Sequence, residues 1–104
     1  MDAKEFQEWV QGFYDTRRWL DYDPFVRVGF LMEEVGEVAR VIRSLEIGRD
    51  RPDEVHKPYE DLKRELTEEL GDVFANIIIL AKKYDIEFDD ILCLHTKKLT
   101  ERFE

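Results

Sequence analysis

Apolar residues recur along the chain at steps of three and four, the spacing that gathers them on one helical face, and strand-like alternation is nearly absent. The single β-branched run, Ile77 to Ile79, lies inside a longer helical pattern. Four helices are predicted. The first covers residues 2–20, with Phe6, Val10, Phe13 and Tyr14 on one side and Trp9 beside them. The stretch DYDP then supplies a stop and a start. Asp23 suits the N-cap, and Pro24 suits the first helical position, where its missing N–H costs nothing.

The second helix, over 24–45, carries Val28, Leu31, Val35, Val38, Ile42 and Leu45 as one apolar seam that must face another helix. The charged stretch GRDRPDEVHKP, 48–58, lacks apolar periodicity and reads as a solvated loop. A third helix, over 59–84, has its own seam in Leu66, Leu70, Val73, Ile77, Leu80 and Tyr84, expected to pack on the first seam. A shorter fourth helix runs through Ile91, Leu92, His95, Leu99 and Phe103. With no other boundary visible, residues 1–104 are expected to form a single all-α domain, a four-helix bundle-like unit.

Charge narrows the chemistry. Against 16 basic residues stand 25 acidic ones, a net charge of −9, which disfavours binding of nucleic acid through its phosphates. A polyanionic small ligand would need a cation to bind here. No apolar run approaches the roughly 20 residues that span a bilayer, and the N-terminal residues lack the charged-then-apolar pattern of a signal peptide. The expectation is a cytoplasmic chain with no membrane partner. Cys93 is the only cysteine, so no internal disulfide and no thiolate cluster for zinc is expected; it reads as a small buried hydrophobe.

Two short acidic boxes stand at matched places in the helical pattern. Aligning residues 33–45 with 68–80 sets EEVGEVARVIRSL over EELGDVFANIIIL, identical at six of thirteen positions. Glu34 and Glu37 are three apart and project from one helical face; Glu69 and Asp72 do the same on the other helix. Each acid precedes a seam residue by one position, so four carboxylates flank one interface. In an antiparallel hairpin the two pairs converge.

Like charges about 4 Å apart repel by about 4 kcal/mol at an effective dielectric near 20, so a cation belongs among them. All-oxygen ligation suits Mg²⁺ or Mn²⁺, and no His or Cys is placed to favour zinc. Gly36 and Gly71 lie inside the helices, where glycine is costly, and suggest the close approach of a helix or ligand. Either box alone reads as an ordinary solvated flank; the matched pair is what argues for a site.

Glu34-x-x-Glu37 followed by Glu69-x-x-Asp72 resembles the MazG family of all-α nucleoside triphosphate pyrophosphohydrolases, over residues 19–103. That resemblance implies a helical fold, Mg²⁺ held by the four acids, and hydrolysis of a nucleoside triphosphate between its α and β phosphates. It implies Glu34, Glu37, Glu69 and Asp72 as metal ligands, with Glu33 and Glu34 serving catalysis, Glu33 by supporting the ligands or by orienting the attacking water. Asn76, one turn beyond Asp72, would bind substrate or a metal-bound water. In KKLTERF, Lys98 and Arg102 match a lysine and arginine four apart that contact phosphates, and Trp19 matches an aromatic that could line a base pocket.

Two departures stand out. There are 31 residues between Glu37 and Glu69, and Leu99 stands where an aromatic is common. The resemblance also implies dimers or tetramers, in keeping with more apolar and aromatic surface (Trp9, Phe13, Phe74, Tyr84) than one small core readily buries. The alternatives are a non-catalytic helical binding or regulatory module, or a dUTP, dCTP or phosphoribosyl-ATP pyrophosphohydrolase.

Overall fold

A computed structural model describes residues 1–48 and 51–104; Arg49 and Asp50, within the predicted loop, lie outside the described residues. Four α-helices follow one another: α1 (Ala3–Thr16), α2 (Pro24–Ile47), α3 (Tyr59–Lys82) and α4 (Phe88–Phe103), with a short 3-10 turn, Trp19–Asp21, between the first two. No strand occurs among the described residues.

Most boundaries follow local chemistry. Asp23 caps α2, its Oδ1 accepting from the Val26 N–H at 2.9 Å, with Pro24 at the first helical position. Such a cap contributes about 1 kcal/mol. The first helix stops four residues short of the expected end, because Arg18 turns into the left-handed region at φ 60° and the chain tightens into the 3-10 turn. At the start of α4, Glu87 and Asp90 form a reciprocal capping box.

Contacts from α2 to α3 run in opposite senses along the two helices: Arg27 meets Asn76, Glu34 meets Glu69 and Asp72, and Arg40 meets Glu65. The pair is an antiparallel hairpin. Helix α1 packs across α3, burying Val10 with Ala75, Ile78 and Ile79, and Phe6, Tyr14, Leu20 and Phe88 pack against that core. Buried Gln7 ties the remaining helix in place, donating to the Glu87 carboxylate and accepting from the Phe88 N–H.

The two predicted seams are only half used within the chain. Leu31, Val38 and Leu45 turn inward on α2 together with Arg27, Glu34 and Val41, whereas Val28, Val35 and Ile42 are exposed beside Phe25 and Met32. The same split divides α3, where Leu66, Val73 and Leu80 are partly covered and Leu70 and Tyr84 are exposed. Helix α4 buries none of its residues, so Cys93 is exposed rather than buried, and Leu92, Leu99 and Phe103 are exposed as well. Gly36 and Gly71 have open space beside them: a Cβ at either would meet nothing within 4 Å, so among the described residues no element makes a close approach there. No helix among the described residues is long and apolar enough to cross a membrane.

Candidate metal centre

Three carboxylates converge where the two acidic boxes cross the hairpin. Glu34 from α2 and Glu69 and Asp72 from α3 each offer an oxygen, and these oxygens lie within 4.8 Å of one another. The geometry follows from the spacing. Glu69 and Asp72 are one turn apart on a single face, and the antiparallel register brings Glu34 opposite both. Glu34 and Glu69 are partly covered by the surrounding helices; Asp72 opens to solvent.

Crowding shows in the protonation of Glu34. Its pKa is pushed from 4.5 up to about 7, first by burial, then by the charges of Asp72 and Glu69, a hydrogen bond with the Glu69 carboxyl group, and Glu37. A proton on Glu34 relieves part of this repulsion. The donor set fits a hard divalent ion: all ligand atoms are carboxylate oxygens, their mutual distances leave room for one ion between them, and the site opens to solvent on the Asp72 side.

The fourth acid is engaged elsewhere. Glu37 Oε2 accepts from Arg40 Nε at 2.8 Å, and Arg40 reaches across to Glu65 on α3 at 3.8 Å. Glu33 is exposed on α2 and is not one of the three converging acids. Asn76 is buried, and both ends of its amide are occupied: Nδ2 donates to the Asp72 carbonyl at 2.8 Å, and Oδ1 accepts from Arg27 at 3.0 Å. Trp19 is half-exposed, edge-on to Phe13 and Tyr14, and its carbonyl accepts from Arg27 Nη2 at 2.5 Å. Lys98 and Arg102 are exposed on the last turns of α4, outside the carboxylate group.

Sequence reasoning missed Arg27 and Arg40. Arg27 is only 4% exposed and lies among the rings of Tyr14, Tyr22 and Phe30, 5.1 to 5.7 Å from their centroids. Burial pulls its pKa below the usual arginine value, opposed by Tyr14 and Tyr22. Tyr14 in turn has its pKa raised by burial, with Arg27 opposing and the charges of Asp72 and Glu34 adding, so this ring stands within electrostatic reach of the acids. The available signal was phase: Arg27 is seven residues before Glu34, on the same helical face.

The chain matches the MazG nucleotide pyrophosphohydrolase domain over residues 27–104, a span that contains both acidic boxes and all of α3 and α4. It belongs to the MazG family. The match begins at Arg27, so α1 and Trp19 fall outside it. Membership puts the chain among the nucleotide pyrophosphohydrolases. The chain is also 51% identical over 104 residues to the uncharacterized protein YvdC of Bacillus subtilis (strain 168), an alignment covering all of this chain and 98% of that one. No solved structure matches it.

Proposed function

We propose that this MazG protein uses a divalent cation, Mg²⁺ or Mn²⁺, to hydrolyse a nucleoside triphosphate, standard or modified, to its monophosphate and pyrophosphate. Water adds across the P–O bond between the α and β phosphates, its oxygen going to phosphorus and a proton being released. The observation that carries this reading is the convergence of Glu34, Glu69 and Asp72 from both boxes on one point. Bound there, the ion supplies neutralisation of the polyphosphate and acidification of the attacking water.

The chain's own residues do the rest. Glu34, Glu69 and Asp72 would hold the ion, and Glu37, released from Arg40, would complete the set. Glu34 would hold the ion in its deprotonated form. Glu33, exposed one position before Glu34, is assigned to orienting the water. Asn76 is assigned to the substrate side of the site through Asp72, whose backbone it holds. Lys98 and Arg102 are assigned to phosphate contact, and the exposed ring of Trp19 to the base.

We further read the protein as a homodimer or homotetramer. The outward halves of the two seams, with Phe25, Met32 and Phe74 beside them, make an apolar surface that a second hairpin would cover, closing a four-helix arrangement across the interface. Alanine at Glu37 or Asp72 is expected to abolish turnover while leaving the helical circular dichroism unchanged. Full activity in either folded variant would refute the site assignment.

A further inference from the structure

Next to the acids, toward the α2–α3 connection, lies a cavity of about 360 Å³ of opposite character. Its charged walls are Arg40 and Arg43 from α2, Arg51, Glu54 and Lys57 from the connection, and Glu65 from α3. Four cations thus face two carboxylates, in a chain whose net charge is −9. Arg40 joins the two places: it lines this cavity and also holds Glu37, the acid that borders the carboxylate cluster.

The cations are held by partners that an anion could replace. Lys57 Nζ is 3.0 Å from Glu65, Arg43 is 3.3 Å from Glu54, and Arg51 divides itself between Asp53 at 3.2 Å and Glu54 at 3.5 Å. These are partly exposed ion pairs, individually weak. A phosphate group offers more charge and more acceptor oxygens than a single carboxylate, and arginine's planar fork suits it. The volume falls at the small end of ligand pockets, which run from about 300 to 1,000 Å³.

Position gives the cavity its meaning. Glu37, Arg40 and Ser44 follow at steps of three and four along one side of α2, with a rise of about 4.5 to 6 Å per step, and Arg40 and Ser44 line the cavity. A polyphosphate with its first unit at the acids therefore extends its remaining units along the face that leads into the cavity. Moving the other way along α2 leads to Arg27 and the aromatic rings of Tyr14, Trp19 and Tyr22. We infer that the cavity binds the β,γ-diphosphate half of the substrate, and so the inorganic pyrophosphate that hydrolysis releases, with Arg40 passing between Glu37 and this diphosphate. The inference rests on the reading of the acids given above and adds a place and direction for the phosphate chain.

The test is calorimetric titration of inorganic pyrophosphate, with Mg²⁺ present, into the wild type, the double variant Arg51→Gln/Lys57→Gln, and Glu65→Gln. The substituted cations are exposed in the connection, and circular dichroism checks the fold. The double variant is expected to bind pyrophosphate about tenfold or more weakly. Glu65→Gln, which frees Arg40 and Lys57 from a competing carboxylate, is expected to bind it more tightly, an effect that misfolding cannot mimic. No binding to the wild type, or equal affinity in all three proteins, would overturn the proposal. Assays of nucleotide turnover keep the two readings apart. Unchanged turnover and unchanged pyrophosphate affinity in the double variant refute the cavity alone; the expected affinity shifts without any turnover in the wild type support the cavity and refute the hydrolase.

Discussion

Glu34 is the residue on which pH acts most directly. Its native pKa of about 7 lies above its ordinary value of 4.5, so the native state holds an extra proton between those values. The stability this contributes is fully present below the unfolded pKa and is lost as pH rises through about 7. Urea denaturation in chelator at pH 5 and pH 8 should show wild type losing stability relative to Glu34→Gln over that interval; parallel behaviour would contradict the assigned crowding. At the proposed site Mn²⁺ would displace the same proton, so its affinity is expected to rise with pH up to about 7 and then level off.

Arg27 offers a second test at this scale. Arg27→Met would leave the Asn76 Oδ1 and the Trp19 carbonyl without their donor, a cost of about 1–3 kcal/mol per buried group, measurable as a lower urea midpoint. The convergence of Glu34, Glu69 and Asp72 was legible because two boxes share spacing and phase; the pairing of Glu37 with Arg40 was not. Nor were Arg27 and Arg40, since a cation within a helical pattern reads as solvated until the hairpin register sets it opposite Asn76 or Glu65.

At the scale of elements, the helices and their caps follow from local sequence, but what each helix faces does not. The seams of α2 and α3 were correctly periodic, yet periodicity alone does not say that one row turns inward and the other outward. Nor does it reveal that the main core forms between α1 and α3, where Ile78 and Ile79 are buried against Val10. Truncation of Ile78 to alanine should cost about 2–5 kcal/mol, seen as a loss in unfolding free energy, whereas the exposed Leu94 should tolerate alanine with little change. Cys93 and the apolar residues of α4 show the same limit: the pattern identified a helix, and only its sparse packing leaves those residues exposed.

Taken whole, the described chain is more open than a compact one of its length. Its radius of gyration is 16.7 Å, against about 13 Å for a compact chain of this length. Phe25 and Phe103 are 89% and 80% exposed, and an apolar groove of about 480 Å³ runs between Phe25, Val28, Leu80 and Tyr84. Exposed apolar surface of this extent marks an interaction site. Sedimentation should give at least twice 12.5 kDa, and Val35→Asp, on the exposed row of α2, should lower the assembly state; a wild-type monomer at micromolar concentration would contradict the closing of the hairpins on one another.

Chemistry at the crossing of the two boxes is tested by one assay: release of pyrophosphate from the common ribo- and deoxyribonucleoside triphosphates with Mg²⁺, with Mn²⁺ and with chelator. Release is expected to require the metal, with the nucleoside monophosphate formed in equal amount. Folded protein that releases none from any of these or from modified nucleotides, or that releases it equally well in chelator, would contradict that chemistry.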